Sequence, residues 1–145
     1  MFKSFEITWN TSNPGISNAT SITIPTVGAG YDYNVDWDND GTFDEFGING
    51  DVTYDFGVEG IYTIRIQGDF PRIYFNNNGD RLKLISIDAW GDINWASFED
   101  AFYGCENLSY AAIDAPNLSS VDNLSGMFRS SGISAGDFSN WDVSN

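Results

Sequence analysis

The chain has 145 residues and a net charge of −15, from 6 lysines and arginines against 21 aspartates and glutamates. Such a charge repels phosphate backbones and anionic lipid headgroups, which makes nucleic acids and membrane surfaces poor partners. The lack of histidine excludes every catalytic or zinc site that needs an imidazole, whereas a hydrophobic share of 41% predicts a folded chain rather than a disordered acidic one.

The first 80 residues are predicted to form short β-strands joined by turns. Alternating polar and apolar residues, or runs of β-branched and aromatic ones, mark strands at 5–9, 21–24, 31–37, 52–56, 61–66 and 73–75. Pro14-Gly15 and Gly57-Val58-Glu59-Gly60 indicate turns between them. Strands at this spacing predict a small antiparallel β-sandwich over residues 1–80.

An acidic segment after the third predicted strand follows the Asp-x-Asp-x-Asp-Gly pattern of calcium loops. The candidate metal ligands are the carboxylates of Asp36, Asp38, Asp40 and Asp44 and the carbonyl of Thr42. Carboxylates about 5 Å apart repel by about 3 kcal/mol at an effective dielectric of about 20. No Lys or Arg lies between Lys3 and Arg65 to offset this repulsion, so the sequence predicts bound Ca²⁺. The alternative is a solvated acidic turn, since Gly47 replaces the bidentate Glu of a helical calcium loop.

The second half contains an internal repeat. Ile87-Asp88-Ala89 returns as Ile113-Asp114-Ala115, and Ala101-Phe102 returns as Met127-Phe128, both 26 residues later. A third copy begins at Phe138 and continues to Val143 and Ser144. Periods of this length are typical of stacked repeats and predict a solenoid of about 2.5 repeats over residues 81–145. The predicted inward row is Leu84, Ile87, Phe98 and Phe102, with the equivalents Tyr110, Ile113, Leu124 and Phe128.

Nothing in the second half indicates catalysis. Cys105 is the only cysteine and is predicted to be buried, because free cysteines usually are and no histidine is present as its base. Glu99 and Asp100 are predicted to lie on the exposed face of a short helix or turn. A hydrolase built from these two and Asp92 needs a cleft between its carboxylates, which the sequence does not indicate. The chain is therefore predicted not to be an enzyme.

Two groups of motifs resemble known families. Ala101-Phe102-Tyr103-Gly104-Cys105-Glu106-Asn107-Leu108, Met127-Phe128 and the closing Asn140 to Asn145 resemble the 26-residue repeats of bacterial surface proteins related to BspA-type leucine-rich repeats. Val35 to Gly41, Tyr54 and Gly60 to Ile64 resemble PKD-like and immunoglobulin-like domains, although a longer acidic loop replaces that family's compact turn. The resemblances imply a PKD-like domain at 1–80, a repeat domain at 81–145, and an extracellular or cell-surface location.

Two functions remain open. The first is a non-catalytic adhesion or interaction module of a bacterial surface protein, which binds a protein partner through the repeat array. The second is a carbohydrate-binding module, which needs exposed aromatic rings to stack on sugars. Its candidates are Trp9, Trp37, Trp90, Trp95 and Trp141. A coplanar exposed pair of these rings would favour sugar binding, and buried rings would favour the first function.

The start of the chain lacks the apolar region of a signal peptide, and no stretch approaches the about 18 apolar residues of a membrane span. We expect the chain to be a fragment of a longer protein, since the third repeat lacks its Met-Phe pair. Terminal repeats without a polar cap expose an apolar side. End-to-end self-association through that side is therefore expected as well.

Overall fold

A computed structural model describes residues 3–133, 138 and 141 of the chain. These residues form strands, turns and loops and no helix, which confirms the prediction of a mainly β fold. Glu99 and Asp100 lie in a turn. Val143 and Ser144, on which the third repeat was also predicted, lie outside the described residues.

The described residues contain eight strands in two sheets. They are β1 (Phe5–Asn10), β2 (Ser21–Ile24), β3 (Asp32–Asp36), β4 (Glu45–Ile48), β5 (Val52–Asp55), β6 (Ile61–Asp69), β7 (Leu84–Ala89) and β8 (Ser109–Tyr110). The larger sheet has the order β4-β3-β6-β1-β7-β8, and β2 pairs with β5 in the smaller one. Only β7 and β8 pair in parallel among these strands, so the larger sheet is mixed.

Two details of the predicted strands were wrong. Residues 73–75 form no strand, because their chain leaves the sheet and the Phe75 amide donates instead to the Ala101 carbonyl at 3.0 Å. Strand β4 was not predicted, because Glu45-Phe46-Gly47-Ile48 lacks a clean alternation and both of its central residues are exposed. Its pairing with β3, in which Val35 faces Glu45, makes it a strand.

Strand β1 lies inside the larger sheet, between β6 and β7. Phe5, Ile7 and Trp9 alternate along it and are fully buried, as the period of two requires for one face of a strand. The Phe5 ring contacts Trp90 at 5.8 Å and Trp95 at 5.0 Å between ring centroids. One sheet and one hydrophobic core therefore contain residues from both sides of the predicted boundary between residues 80 and 81.

The repeat segments stack. Residues that contact each other in neighbouring repeats are separated by fewer positions of sequence in the strands than in the turns. Ile87 pairs with Tyr110 and Asn94 with Asn117, a spacing of 23 residues. The rings of Phe102 and Phe128 stack at 5.6 Å, a spacing of 26. The sequence alignment applied the turn spacing throughout and was therefore out of register in the strand.

That difference corrects two members of the predicted inward row. Ile113 is 95% exposed and Leu124 is 42% exposed, so neither lies in the core. The 23-residue strand spacing places Tyr110, rather than Ile113, beside Ile87. The other predicted members are buried or half-buried: Leu84, Ile87, Phe98, Phe102, Tyr110 and Phe128.

A buried lysine fastens the long loop between β1 and β2. Lys83 Nζ donates to three backbone carbonyls of the loop and of the start of β2, those of Ser17 (3.2 Å), Asn18 (2.6 Å) and Ser21 (2.9 Å). The Asp80 carboxylate accepts hydrogen bonds from the Ile16 and Ser17 amides of the same loop. A buried ammonium group is tolerated where each of its N–H groups donates a hydrogen bond, so Lys83 stabilises the fold.

The stacked core yields a matched pair of substitutions. Phe102→Ala is expected to lower the free energy of unfolding by about 3–5 kcal/mol, because it empties a buried aromatic position. Ile113→Ala is expected to change it by less than about 0.5 kcal/mol, because that side chain is exposed. Urea unfolding measures both. A large loss in Ile113→Ala would restore the 26-residue alignment in the strand and contradict the 23-residue register.

Candidate functional site

The acidic loop connects β3 to β4, two antiparallel neighbours at one edge of the larger sheet. One carboxylate oxygen each from Asp36, Asp38 and Asp40 lies within 4.8 Å of the others. Asn39 and Gly41 have φ angles of 57° and 92°, and these left-handed residues turn the loop sharply. Three of the five predicted ligands are thus brought together.

Asp36 differs from the other two because it is buried and already has partners. Its Oδ1 accepts from the Asp40 amide at 3.3 Å, and its Oδ2 accepts from the Gly41 amide at 2.9 Å. Its Oδ2 also lies 3.9 Å from Nη1 of Arg65. The prediction that the loop has no nearby cation was therefore wrong. Arg65 is far away in sequence but directly opposite Asp36 in the β3–β6 register.

Asp44 and Thr42 also form hydrogen bonds within the loop. Asp44 is outside the cluster of three carboxylates, and its Oδ2 accepts from the Trp37 amide at 2.8 Å. The Thr42 amide donates to Oδ1 of Asp40 at 2.8 Å. Both contacts close the loop on itself, and neither involves the Thr42 carbonyl that is the predicted ligand atom.

The exposed carboxylates still repel one another. The pKa of Asp38 is raised, first by partial desolvation, then by its hydrogen bond to Asp36, and then by the charges of Asp40 and Asp44. Carboxylate oxygens held close together despite their repulsion are suitable ligands for a hard divalent cation such as Ca²⁺. Arg65 neutralises part of the charge, but it is paired with Asp36 alone among the three.

The tryptophans weighed for sugar stacking lie mostly in the core. Trp9, Trp37, Trp90 and Trp95 are at most 1% exposed. Trp37, for example, stacks on Tyr54 at 4.5 Å with an interplanar angle of 9°. Trp141 is half-buried and packs edge-on against Trp90 at 5.6 Å. These five rings form no exposed coplanar pair.

A cleft of about 370 Å³ lies beside Asp92, which accepts a hydrogen bond from the Lys3 amide at 2.7 Å. Asp69 also lines this cleft, but Glu99 and Asp100 do not. Glu99 instead accepts from the Asn123 side chain at 2.6 Å. The three carboxylates considered for a hydrolase are therefore not gathered around this cleft.

Cys105 is fully buried, as predicted. Burial raises the pKa of its thiol, and the nearby Arg81 guanidinium opposes this shift only in part. The nucleophilic thiolate is therefore disfavoured in the folded chain.

An open groove lies at the last described turn of the repeats, which we call the end groove. It has a volume of about 570 Å³ and is lined by Leu124, Gly126, Met127, Phe128, Arg129, Phe138 and Trp141. The stack of rings from Phe102 through Phe128 to Phe138 leads into it, with centroid separations of 5.6 and 5.8 Å. Its lining is mainly apolar, which suits an apolar side chain of a ligand.

Comparison with known proteins identifies no relative. No family model matches the chain, and no curated protein or solved structure matches it. The resemblances to BspA-type repeats and PKD-like domains therefore stay predictions. Within the described part of the chain, no helix is long and apolar enough to cross a membrane.

The contacts of the acidic loop separate a structural carboxylate from an exposed one. In the presence of a chelator, Asp36→Ala is expected to lower the free energy of unfolding by about 1–3 kcal/mol, because it removes the partner of two amides and of Arg65. Asp38→Ala, at an exposed position, is expected to change it by less than about 0.5 kcal/mol. Chemical denaturation measures both. Equal losses would contradict the structural role assigned to Asp36.

Proposed function

We propose that the chain is a non-catalytic interaction or adhesion module of an extracellular bacterial surface protein. In this proposal a PKD-like antiparallel sandwich is followed by a leucine-rich-repeat-like solenoid, and the repeats bind a protein partner. The observation that carries the proposal is the end groove, a mainly apolar surface beside residues 124–129 of the repeats. Apolar grooves on otherwise strongly charged surfaces commonly mark protein contacts.

The side chains of the groove support a protein ligand. Leu124 is 42% exposed, Phe128 is half-buried, and both lie beside Trp141 in the lining. Aromatic residues and methionine are enriched at protein interfaces, where they supply large contact areas. Met127 forms part of the same lining, so the groove offers an apolar anchor point.

The sugar-binding alternative has weaker support. Stacking on a sugar needs a flat aromatic face in solvent, whereas Trp9, Trp37, Trp90 and Trp95 are used in the core. The non-catalytic part of the proposal is supported by composition, because no histidine is present, and by the burial of Cys105.

We further propose that the acidic loop binds Ca²⁺ and that this ion stabilises the module. Asp36, Asp38 and Asp40 would supply carboxylate oxygens, with the Thr42 carbonyl and Asp44 completing the predicted set. The ion would offset the repulsion from Asp40 and Asp44, which adds to the desolvation that raises the pKa of Asp38. Its role is structural, since it would hold the β3–β4 connection.

The calcium proposal predicts a metal-dependent melting temperature. A ligand at about 100 times its dissociation constant stabilises the folded state by about 2.7 kcal/mol, or several degrees for a chain of this size. Melting in excess calcium and in chelator measures the difference. Asp38→Ala should abolish it, while Asp55→Ala, at an exposed aspartate of β5, should retain it. Identical curves for the unsubstituted protein in both conditions would rule out the ion.

The protein-binding proposal predicts that a displayed random-peptide library yields specific ligands and that a glycan array yields none. Selected peptides should lose at least about tenfold in affinity for Leu124→Asp, because a charge enters the apolar groove at an exposed lining residue. Ile113→Asp, at an exposed apolar position outside the groove, should bind them unchanged. Specific glycans without specific peptides would favour the carbohydrate-binding alternative instead.

A further inference from the structure

The chain contains two Asn-Gly-Asp triplets, Asn49-Gly50-Asp51 and Asn78-Gly79-Asp80, and no other Asn-Gly pair. Asparagine is thermolabile in proteins, and a following glycine favours its deamidation because glycine has no Cβ to shield its amide nitrogen from the asparagine side chain. The two triplets consist of the same three residues. Any difference between their reactivities in the folded chain therefore arises from the structure around them.

Asn49 lies in the connection between β4 and β5, and its side chain is unrestrained. It is exposed, and among the described residues neither its side-chain amide nor the Gly50 backbone amide has a hydrogen-bond partner. The space around Gly50 is also open, since a Cβ at this position would meet no described atom within 4 Å outside the adjacent residues. The Asn49 side chain is therefore free to rotate towards the Gly50 nitrogen.

Asn78 is also exposed, but hydrogen bonds hold it in place. Its Nδ2 donates to the Asn76 carbonyl at 2.9 Å, and its backbone amide donates to the Phe75 carbonyl at 2.8 Å. Asp80, the last residue of this triplet, is buried and accepts hydrogen bonds from three backbone amides. The Asn78 side chain has to break its hydrogen bond before it rotates towards the following nitrogen, whereas Asn49 does not.

We propose that Asn49 is a site of spontaneous deamidation in the folded chain. The Gly50 nitrogen loses its proton to solvent and attacks Cγ of Asn49, the Cγ–Nδ2 bond breaks, and the leaving group takes up a proton and departs as ammonia. The resulting cyclic succinimide joins the Gly50 nitrogen to both carbonyl carbons of residue 49. Water then opens the ring, at Cγ to yield aspartate or at the main-chain carbonyl carbon to yield isoaspartate. Overall, one water is consumed and one ammonia is released.

Isoaspartate at this position disturbs the β3–β4 pairing, because the main chain then runs through Cβ and gains one atom. The backbone of Tyr33 pairs with Ile48, and its hydroxyl donates to the Gly50 carbonyl at 2.6 Å. This buried residue thus holds the chain on both sides of Asn49. An additional main-chain atom between the two contacts displaces the Gly50 carbonyl, and a buried hydroxyl that loses its acceptor destabilises the fold. Aspartate keeps the original main chain and both contacts.

Peptide mapping by mass spectrometry after incubation at mildly alkaline pH tests the proposal, because base removes the proton of the attacking amide. The two asparagines lie on different tryptic peptides, 4–65 and 73–81. In the folded protein, conversion is expected to be at least about tenfold faster at Asn49 than at Asn78, which has a hydrogen bond to break. In concentrated urea the two rates are expected to be similar.

Two results of this comparison would overturn the proposal. Equal rates in the folded protein, or faster conversion at Asn78, would show that the structure does not favour Asn49. A difference that persists unchanged in urea would show that it arises from the neighbouring sequence and not from the fold.

Gly50→Ala tests the attacking atom. The open space around Gly50 and a φ angle outside the left-handed region allow this substitution in the fold, and circular dichroism checks that the variant is folded. The added methyl group crowds the nitrogen and should slow conversion at Asn49 by at least about tenfold. Conversion at Asn78 in urea should stay unchanged and serves as the internal standard. An unchanged rate at Asn49 would indicate direct hydrolysis of its side chain and overturn the ring mechanism.

The stability of the products tests the consequence. Isoaspartate arises through the ring, so it is expected at residue 49 beside aspartate, and chromatography separates the two forms. The isoaspartate form should melt a few degrees below Asn49→Asp, which has the same charge without the additional main-chain atom. Equal melting temperatures would contradict the effect assigned to the Tyr33 contacts. None of these outcomes involves a ligand, so they leave the protein-binding and calcium proposals to their own tests.

Discussion

The central position of β1 is the constraint on which the rest of the structure depends. This strand pairs with β6 on one side and β7 on the other, so its backbone groups are satisfied on both edges by residues distant in sequence. Its inward side chains Phe5, Ile7 and Trp9 are fully buried. Because β7 opens the repeat segment and β1 belongs to the first strands of the chain, the repeats extend an existing sheet. The stacked turns are therefore attached to a sheet that also contains the first strands of the chain, and this sheet fixes the position of the end groove.

Register also decides the electrostatics of the acidic loop. The β3–β6 pairing places Arg65 opposite Asp36, and the ion pair with two amide donors holds that carboxylate at the base of the loop. Asp38 and Asp40 remain exposed with no such cation. Asp36 therefore stabilises the fold, whereas Asp38 and Asp40 retain the mutual repulsion that a divalent ion would relieve. A buried carboxylate that accepts two amide hydrogen bonds also preorganises the loop, because its position is set before any ligand binds.

Local sequence patterns predicted most of the strands, whereas contacts between residues that are far apart in the sequence were not predicted. Period-two alternation located β1, β2 and β3, and runs of β-branched and aromatic residues located β5 and β6. Strand β4 was missed because pairing alone, without burial, makes it a strand. The spacing of Asp36, Asp38 and Asp40 in the sequence predicted that their carboxylates cluster. The proximity of Arg65 was not predicted, because it depends on strand register. Ile113 was misplaced because one alignment offset cannot describe both the 23-residue strands and the 26-residue turns.

The two turn segments of the repeats, residues 98–104 and 124–130, share a backbone conformation but differ in burial. Their left-handed residues correspond, since φ is 52° at Asp100 and 69° at Gly126. Phe98 and Phe102 are fully buried in the first segment, whereas Leu124 is 42% exposed and Phe128 is half-buried in the second. Both segments are closed by local hydrogen bonds, such as those from the Ala101 amide to the Phe98 carbonyl and from the Met127 amide to the Leu124 carbonyl. Local backbone bonds therefore set the conformation of the repeat in both segments, whether or not its apolar side chains are fully buried.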